Sequence, residues 1–450
     1  MPSKPRTSQL SAQGWRSSIW VWPAVTGAAA FVLAQVLTAV EPARGSRFEA
    51  LWQGGGTSAI NVLAVVATSV MTATTLIFSL TVLALQLASQ QFSPRLLRQF
   101  ARDRVTKRVL AILAGSFVFS LSAMSGVSAE GPVPTLALAV ALLLGVASFA
   151  AILAYITHMV RILRVDTMML HVHDDTDEAI RTFYPSLDEP YRDPDELGLE
   201  VGDARWVSAD RSGFVQATDV DVLLALAARE DLVVRIEARA GDHMVNGTPL
   251  AAVWGRGGRP IGAVSPEIQD AIRDVVRIGY ERTMDQDTGF GFRQLEDIAV
   301  KAMSPSINDP VTAAHAVGHM ADLIVGLLGC RLGPTLHEDG DGVGRAIVPD
   351  RDLRYYLELM CGQLRRFAAT EPSVLSALLR ALRDISLSCR DERQRDEIRR
   401  AADLVVASMD GDLVEVDAAS VHEHRARVEA ALAGDLVGAY ADRAGEARSM

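Results

Sequence analysis

The first 163 residues of this 450-residue chain hold almost no charge: 12 Lys or Arg and 4 Asp or Glu, against 32 and 51 in the other 287. A soluble globule carries charge along its whole length, so the scarcity excludes a uniformly soluble protein and sets a membrane part beside an acidic water-soluble part. The later part has no basic surplus; its net charge is −19, beside +8 for the first part. That excludes a nucleic-acid binder, which needs a basic face for phosphates. Cysteine is scarce: Cys330, Cys361 and Cys389 stand far apart. They exclude a disulfide framework and fit a reduced compartment. Nucleophile elbow, phosphate loop and histidine–carboxylate triad are all missing. Gly255, Gly257, Gly258 and Gly262 do not follow the dinucleotide spacing, and Pro260 interrupts them. An enzyme is the weakest of the function classes.

Four apolar runs are present, at 19–40, 59–88, 109–129 and 133–163. About 20 helical residues cross a hydrocarbon core of about 30 Å, so each run is long enough. The second and fourth are expected to tilt or to continue into water. The first run is too long for the apolar region of a secretory signal, about 7–15 residues, and Trp15, Trp20 and Trp22 cluster at its start as an interfacial belt does. It reads as an uncleaved first helix, with Pro23 near its beginning.

Cytoplasmic loops are enriched in Lys and Arg. Lys4, Arg6 and Arg16 precede the first run; Arg95, Arg98, Arg102, Arg104, Lys107 and Arg108 follow the second; Arg161 and Arg164 end the fourth. The other two loops have no basic excess. The expectation is a multi-pass protein of a bacterial inner membrane, with both termini and the acidic part in the cytoplasm.

The second run carries Asn61, Thr68, Thr72, Thr75, Ser79, Gln86 and Gln90, spaced 7, 4, 3, 4, 7 and 4. At about 100° per residue they lie within roughly 40° of one line. The plainer reading is helix–helix contact, where Ser and Thr act as glue. The sharper one is a solute or ion path lined by hydroxyls and amides. No ionisable residue interrupts the spans before His158, which argues against a proton relay or voltage sensor.

Beyond Arg164 a polar connector is expected to about residue 200. The segment 201–262 follows with strand-like runs at 232–236 and 249–254, a helix over 220–228, and a Gly241-Asp242 turn close to Asn246-Gly247. It resembles part of a small barrel-sandwich of the biotinyl/lipoyl type. No lysine stands between Trp206 and Arg277, so a swinging cofactor arm is excluded. From 263 onward the pattern is mainly helical, with helices expected at 267–277, 292–303, 311–328, 352–367, 373–383, 391–408 and 418–433 and a glycine- and acid-rich loop at 334–350. Asp309 is placed to cap the third of these, with Pro310 at its first position.

Two stretches carry a family resemblance. One is Phe78-Ser79-Leu80-Thr81 with Ala84-Leu85-Gln86-Leu87-Ala88-Ser89-Gln90-Gln91-Phe92-Ser93-Pro94-Arg95-Leu96-Leu97. The other is Gly291-Phe292-Arg293-Gln294-Leu295 with Asp297-Ile298-Ala299-Val300-Lys301-Ala302-Met303-Ser304-Pro305-Ser306-Ile307-Asn308-Asp309-Pro310. Both resemble the bacterial predicted-membrane-protein family catalogued as domain of unknown function 2254, over most of 15–410. The resemblance implies several spans and a cytoplasmic domain, and no particular activity.

Lys301 is the only lysine after Lys107. With Gln294, Asp297, Asn308 and Asp309 it forms a candidate cytoplasmic cleft, although a helix-end lysine near carbonyls is the plainer account. His315 and His319 are four apart on a helix, with Asp322 beyond, a spacing that can hold a metal; no Glu makes it a hydrolytic zinc motif. His171, His173, Asp174 and Asp175 form a second such cluster. Asp339, Asp341, Gly344 and Asp350 approximate a calcium loop, but Val343 stands where an oxygen ligand is needed. No metal and no cofactor is expected from these patterns. The fold expected is four transmembrane helices over 1–163, a connector over 164–200, a β-rich module over 201–262 and a helical domain over 263–450. The functions expected are a homo-oligomeric channel or transporter, or else a membrane-anchored sensor or scaffold.

Overall fold

The computed structural model describes residues 21–39, 54–91, 104–128, 133–162, 164–189 and 191–441, the side chains at 85, 87–91 and 104 excepted. It forms two compact units, Met1–Thr167 and Met168–Met450.

Among its described residues the first unit contains four helices: α1 (Val21–Ala39), α2 (Gly56–Gln91), α3 (Arg104–Ser125) and α4 (Thr135–Ile162). Helix α3 packs on each of the other three. Small residues let α1 and α3 approach closely, as in membrane helix pairs. A Cβ on Gly126 would come within 2.9 Å of Thr38, and one on Gly115 within 3.8 Å of Thr26. Hydroxyl and amide side chains bond across helices: Thr26 donates to the Ala111 carbonyl at 3.0 Å, Gln35 to Ser122 at 3.0 Å and Ser148 to Ser116 at 2.8 Å. The outer surface is strongly apolar; Leu143 and Val146 are 70% exposed and Phe149 63%. A bilayer covers such a surface; water does not.

The second unit begins with α5 (Val165–Phe183), counted from Met168. A polar connector was expected here, but one face of this helix buries Met168, Met169, Val172, Thr176, Ala179 and Ile180. Eight strands follow in two sheets. One has the order β1 (Arg205–Ser208), β5 (Pro249–Gly255), β3 (Leu232–Ile236), β8 (Gly344–Val348), β7 (Thr335–Glu338). Its pairs are antiparallel except β3 with β8. The other has the order β4 (His243–Met244), β2 (Gly213–Thr218), β6 (Val276–Gly279). Helices α6 (Val220–Arg229) and α7 (Pro266–Val275) contribute Leu223, Leu226, Ile272 and Val275 to a core that includes Val215, Val234 and Val253.

Two expectations are corrected here. The loop expected over 334–350 contains the β7–β8 hairpin, and strand content continues past residue 262 into β6, β7 and β8. The Asp339 carboxylate closes that hairpin, accepting from the backbone of Asp341 and Val343 and from Arg345. It holds a turn where calcium-loop spacing was noted. The barrel-sandwich likeness also fails, because a helix separates β2 from β3 and β3 pairs in parallel with a strand more than 100 residues away.

The remaining helices are α8 (Thr288–Ala302), α9 (Pro310–Leu328), α10 (Leu353–Cys361), α11 (Leu364–Phe367), α12 (Pro372–Ser386), α13 (Glu392–Ala407), α14 (Glu415–Leu432) and α15 (Leu436–Ala439). Helix α12 packs on α9, α13 and α14, and α9 on α8 and α10. Asp309 caps α9 as expected: its carboxylate accepts from the Thr312 amide at 3.1 Å and from the Thr312 hydroxyl at 2.6 Å. These bonds to Thr312 hold the Asp309 carboxyl below the usual carboxylate range. Five helices among the described residues are long and apolar enough to cross a membrane, namely α1 to α4 and α9.

Candidate functional site

Helix α2 has two faces with different fates. Ala59, Leu63, Ala67, Val70, Ile77 and Ala84 are buried and define the side that packs on α3 and α4. Asn61, Thr68, Thr72, Thr75, Ser79 and Gln86 are all exposed in the single chain. The two sets lie about 180° apart at about 100° per residue. The side chain of Gln90 falls outside the described residues. The stripe is therefore not glue within its own chain. Its hydroxyls bond back along the helix: Thr72 to the Thr68 carbonyl at 2.9 Å, Thr75 to Met71 at 3.1 Å, Ser79 to Thr75 at 3.0 Å. Thr75 and Ser79 also edge a groove of about 380 Å³ whose other walls include Pro23 of α1, Phe78, and Leu110 and Ala114 of α3. Among the other polar side chains in the middle turns of α2, Thr74 and Thr81 fall on the packed side, and Ser69 is exposed between the two faces.

The residues expected to form a cleft lie on α8 and on the joint that leads to α9. Gln294 is buried in α8, with its amide 3.9 Å from the Met284 sulfur. Asp297 and Lys301 are half-buried on the same helix. Asn308 is exposed, with φ +48, in the turn that ends α8, and Asp309 caps α9. An asparagine tolerates that left-handed backbone better than most residues. The last part of the motif is thus a helix–turn–helix joint held by the Asp309 amide bonding the Ala302 carbonyl at 2.9 Å.

The His319 ring lies 5.1 Å from the His173 ring with the two planes tilted by 58°, and the His173 Nε2 is 3.3 Å from Asp322. Burial, then the neighbouring His173 and His315, hold His319 below the usual histidine range. The two histidine clusters noted in the sequence thus meet through His173 and His319. No group of three or more His, Cys, Asp or Glu among the described residues has the geometry to hold a metal ion.

One polar cluster was missed by sequence reasoning. The hydroxyls of Tyr184, Thr288 and Tyr356 form a closed triangle with sides of 2.9, 2.6 and 2.7 Å. Burial pushes the Tyr184 and Tyr356 hydroxyls well up, so both stay neutral donors. Asp350 lies beside them, and burial pushes its carboxyl up to about 6. Asp287, 3% exposed, caps α8 and takes a bidentate pair from Arg282 at 2.8 and 3.0 Å. Burial raises the Asp287 carboxyl, and Arg282 opposes the rise. Arg351 bonds Asp242 at 2.6 Å and lies 4.4 Å over the Tyr355 ring. Gly241, with φ +86, allows this: a Cβ there would sit 2.2 Å from the Asp287 carboxylate. The signal in the sequence was Asp287-Thr288 two residues before the second family motif, an Asp at a helix start. Its partners at 184, 350 and 356 are too far along the chain for spacing to reveal.

The chain is similar to uncharacterized proteins of Mycobacterium bovis and Mycobacterium tuberculosis, each 34% identical over 396 residues, covering 87% of this chain and 76% of the relative. A second Mycobacterium tuberculosis strain has one at 33% identity with the same coverage. No solved structure matches the chain. A family model described as a predicted membrane protein of domain of unknown function 2254 matches residues 16–384, which include α2 with its polar face and the Asp287 cluster. The chain belongs to this membrane-protein family.

Proposed function

We propose that the protein is a homo-oligomeric inner-membrane channel or transporter in which the polar faces of α2 line a path for an ion or small solute. The observation that carries this reading is the position of the stripe: six polar side chains exposed on the side of α2 opposite its packed face. In lipid such a line is wasteful, and either water or a second copy of the chain gives it a partner. In this reading helices α1 to α4 are the spans, and the excess of Lys and Arg in the loops supports a cytoplasmic place for both termini and the second unit. Helix α9, although apolar enough to cross, is taken as the central helix of the cytoplasmic unit because α8, α10 and α12 surround it. Purified protein in liposomes is expected to pass small ions or solutes, and covalent bulk at Thr72 is expected to block the passage.

A second reading has an observation of its own. The back-bonding of Thr72, Thr75 and Ser79 already satisfies their hydroxyl hydrogens. A stripe so satisfied can serve for contact between copies of a membrane-anchored sensor or scaffold whose cytoplasmic unit binds a partner. Tight liposomes together with a stable oligomer favour this second reading.

A further inference from the structure

The second unit contains a cavity of about 730 Å³ between the end of α5, the segment leading to Arg192, and strand β7. That size is within the usual range for small-molecule sites. Arg331 lines it. The guanidinium donates to the carbonyls of Leu187 at 3.2 Å and Glu189 at 3.0 Å and lies 3.8 Å over the Tyr191 ring. The backbone beneath is stapled: the Arg331 amide bonds Pro185 at 2.9 Å and the Leu187 amide bonds Gly329 at 3.0 Å. The cation is therefore fixed in place before any ligand arrives, which lowers the entropy cost of binding.

No carboxylate among the described residues forms an ion pair with Arg331. Carbonyl dipoles and a ring face hold it, and they leave its full positive charge in the cavity wall. Arg181 and Arg192 line the same cavity. Of its two lining carboxylates, Glu338 is engaged by Arg192 at 3.5 Å, and Glu189 is exposed. Arg181 is paired with Asp177 at 2.8 Å and Arg192 also with Glu196 at 3.2 Å, so among the described residues Arg331 is the lining arginine whose charge no carboxylate takes up. Thr335 and His337 of β7 also face this space, and neither has a side-chain hydrogen bond among the described residues. A guanidinium together with a hydroxyl and an imidazole in one lining suits a tetrahedral anion with three or more free oxygens better than a carboxylate with two.

We propose that this cavity binds a phosphate ester, with Arg331 as its anchor and Thr335 and His337 completing the shell. The inference is independent of the α2 path. Two sources share the chemistry, a soluble nucleotide and a phospholipid headgroup. Full-length protein in detergent at low salt is titrated by calorimetry with ATP and, separately, with glycerol 3-phosphate; adenosine is the uncharged control. Saturable binding of ATP assigns the soluble source, and saturable binding of glycerol 3-phosphate alone assigns the headgroup. In either case Arg331→Lys, which keeps the charge and loses the fork, weakens binding by about 10-fold, the scale of one charge-assisted hydrogen bond. Thr335→Val, which leaves the Arg331 staples intact, weakens it by a few-fold, and Arg205→Ala on exposed β1 leaves it unchanged. Absence of saturable binding by both phosphates, equal binding of adenosine, or binding that neither Arg331→Lys nor Thr335→Val weakens overturns the proposal.

Discussion

The Thr81 hydroxyl on α2 and the Tyr155 hydroxyl on α4 stand 2.5 Å apart, on the side of α2 opposite the polar stripe. Thr81 also donates to the Ile77 carbonyl at 2.7 Å, and Tyr155 is fully buried beside Val70 and Ile77. This contact fixes the rotation of α2. It turns Thr72, Thr75 and Ser79 outward and leaves the stripe on the surface of the single chain. Tyr155→Phe is expected to weaken the four-helix bundle by about 1 kcal/mol, the usual scale of an interhelical hydrogen bond in a membrane. Unfolding in mixed micelles measures it. An unchanged unfolding midpoint would remove the Thr81–Tyr155 contact from the account of how α2 is oriented.

The second prediction concerns Asp350. Burial raises its folded-state pKa to about 6, above the ordinary value of about 3.9 for an unfolded chain. Folding therefore favours its protonated form. Its stabilising contribution is full below about pH 4 and is lost as pH rises to about 6. Above that the native state bears a constant penalty of about 3 kcal/mol, two pKa units at about 1.4 kcal/mol each. Asp350→Asn is expected to flatten stability between pH 4 and 6 and to raise it at pH 8. The asparagine oxygen can still accept from the Arg351 amide, which bonds Asp350 at 2.7 Å. Parallel stability curves for the two proteins would contradict the buried carboxyl.

The third prediction rests on Gly291 and Thr176. A Cβ on Gly291 would sit 1.9 Å from the Thr176 hydroxyl oxygen, itself buried and bonded to Val172. Gly291→Ala is expected to cost about 1–3 kcal/mol, the range for overpacking, even though alanine is the better helix former. Adding Thr176→Ala should restore part of the loss, and a double-mutant cycle on the thermal midpoint reads the coupling. Strict additivity would show that α5 and α8 do not meet at these residues.

Much of the architecture is legible in the chain because it is written in short-range patterns. The four apolar runs mark α1 to α4, and Asp309-Pro310 marks the start of α9 within one residue. Helix α5 is not legible in the same way. Its acidic side, with Asp174, Asp175, Asp177 and Glu178, reads as a solvated connector, while the face with Met168, Val172 and Ile180 needs a partner to reveal it. Strand β8 is hidden because the glycines and acids at 339–342 dominate its surroundings and because it pairs with a strand about 110 residues earlier. The stripe on α2 is visible as a periodicity. Its exposure is not, since period alone does not say which side of a helix packs. The triangle of Tyr184, Thr288 and Tyr356 is a product of tertiary folding and leaves no local trace.

The central claim is that the α2 stripe lines a wet path. Single cysteines at Thr72, Thr75, Ile77 and Leu80, in a full-length chain with Cys330, Cys361 and Cys389 replaced, test it directly in native membranes. The account predicts that cysteines at 72 and 75 react with small water-soluble thiol reagents while those at 77 and 80 stay protected. Ile77 is buried and Leu80 lies well to the side of the stripe. Protection at 72 and 75 in every condition would contradict a wet path and leave the stripe as a contact between copies.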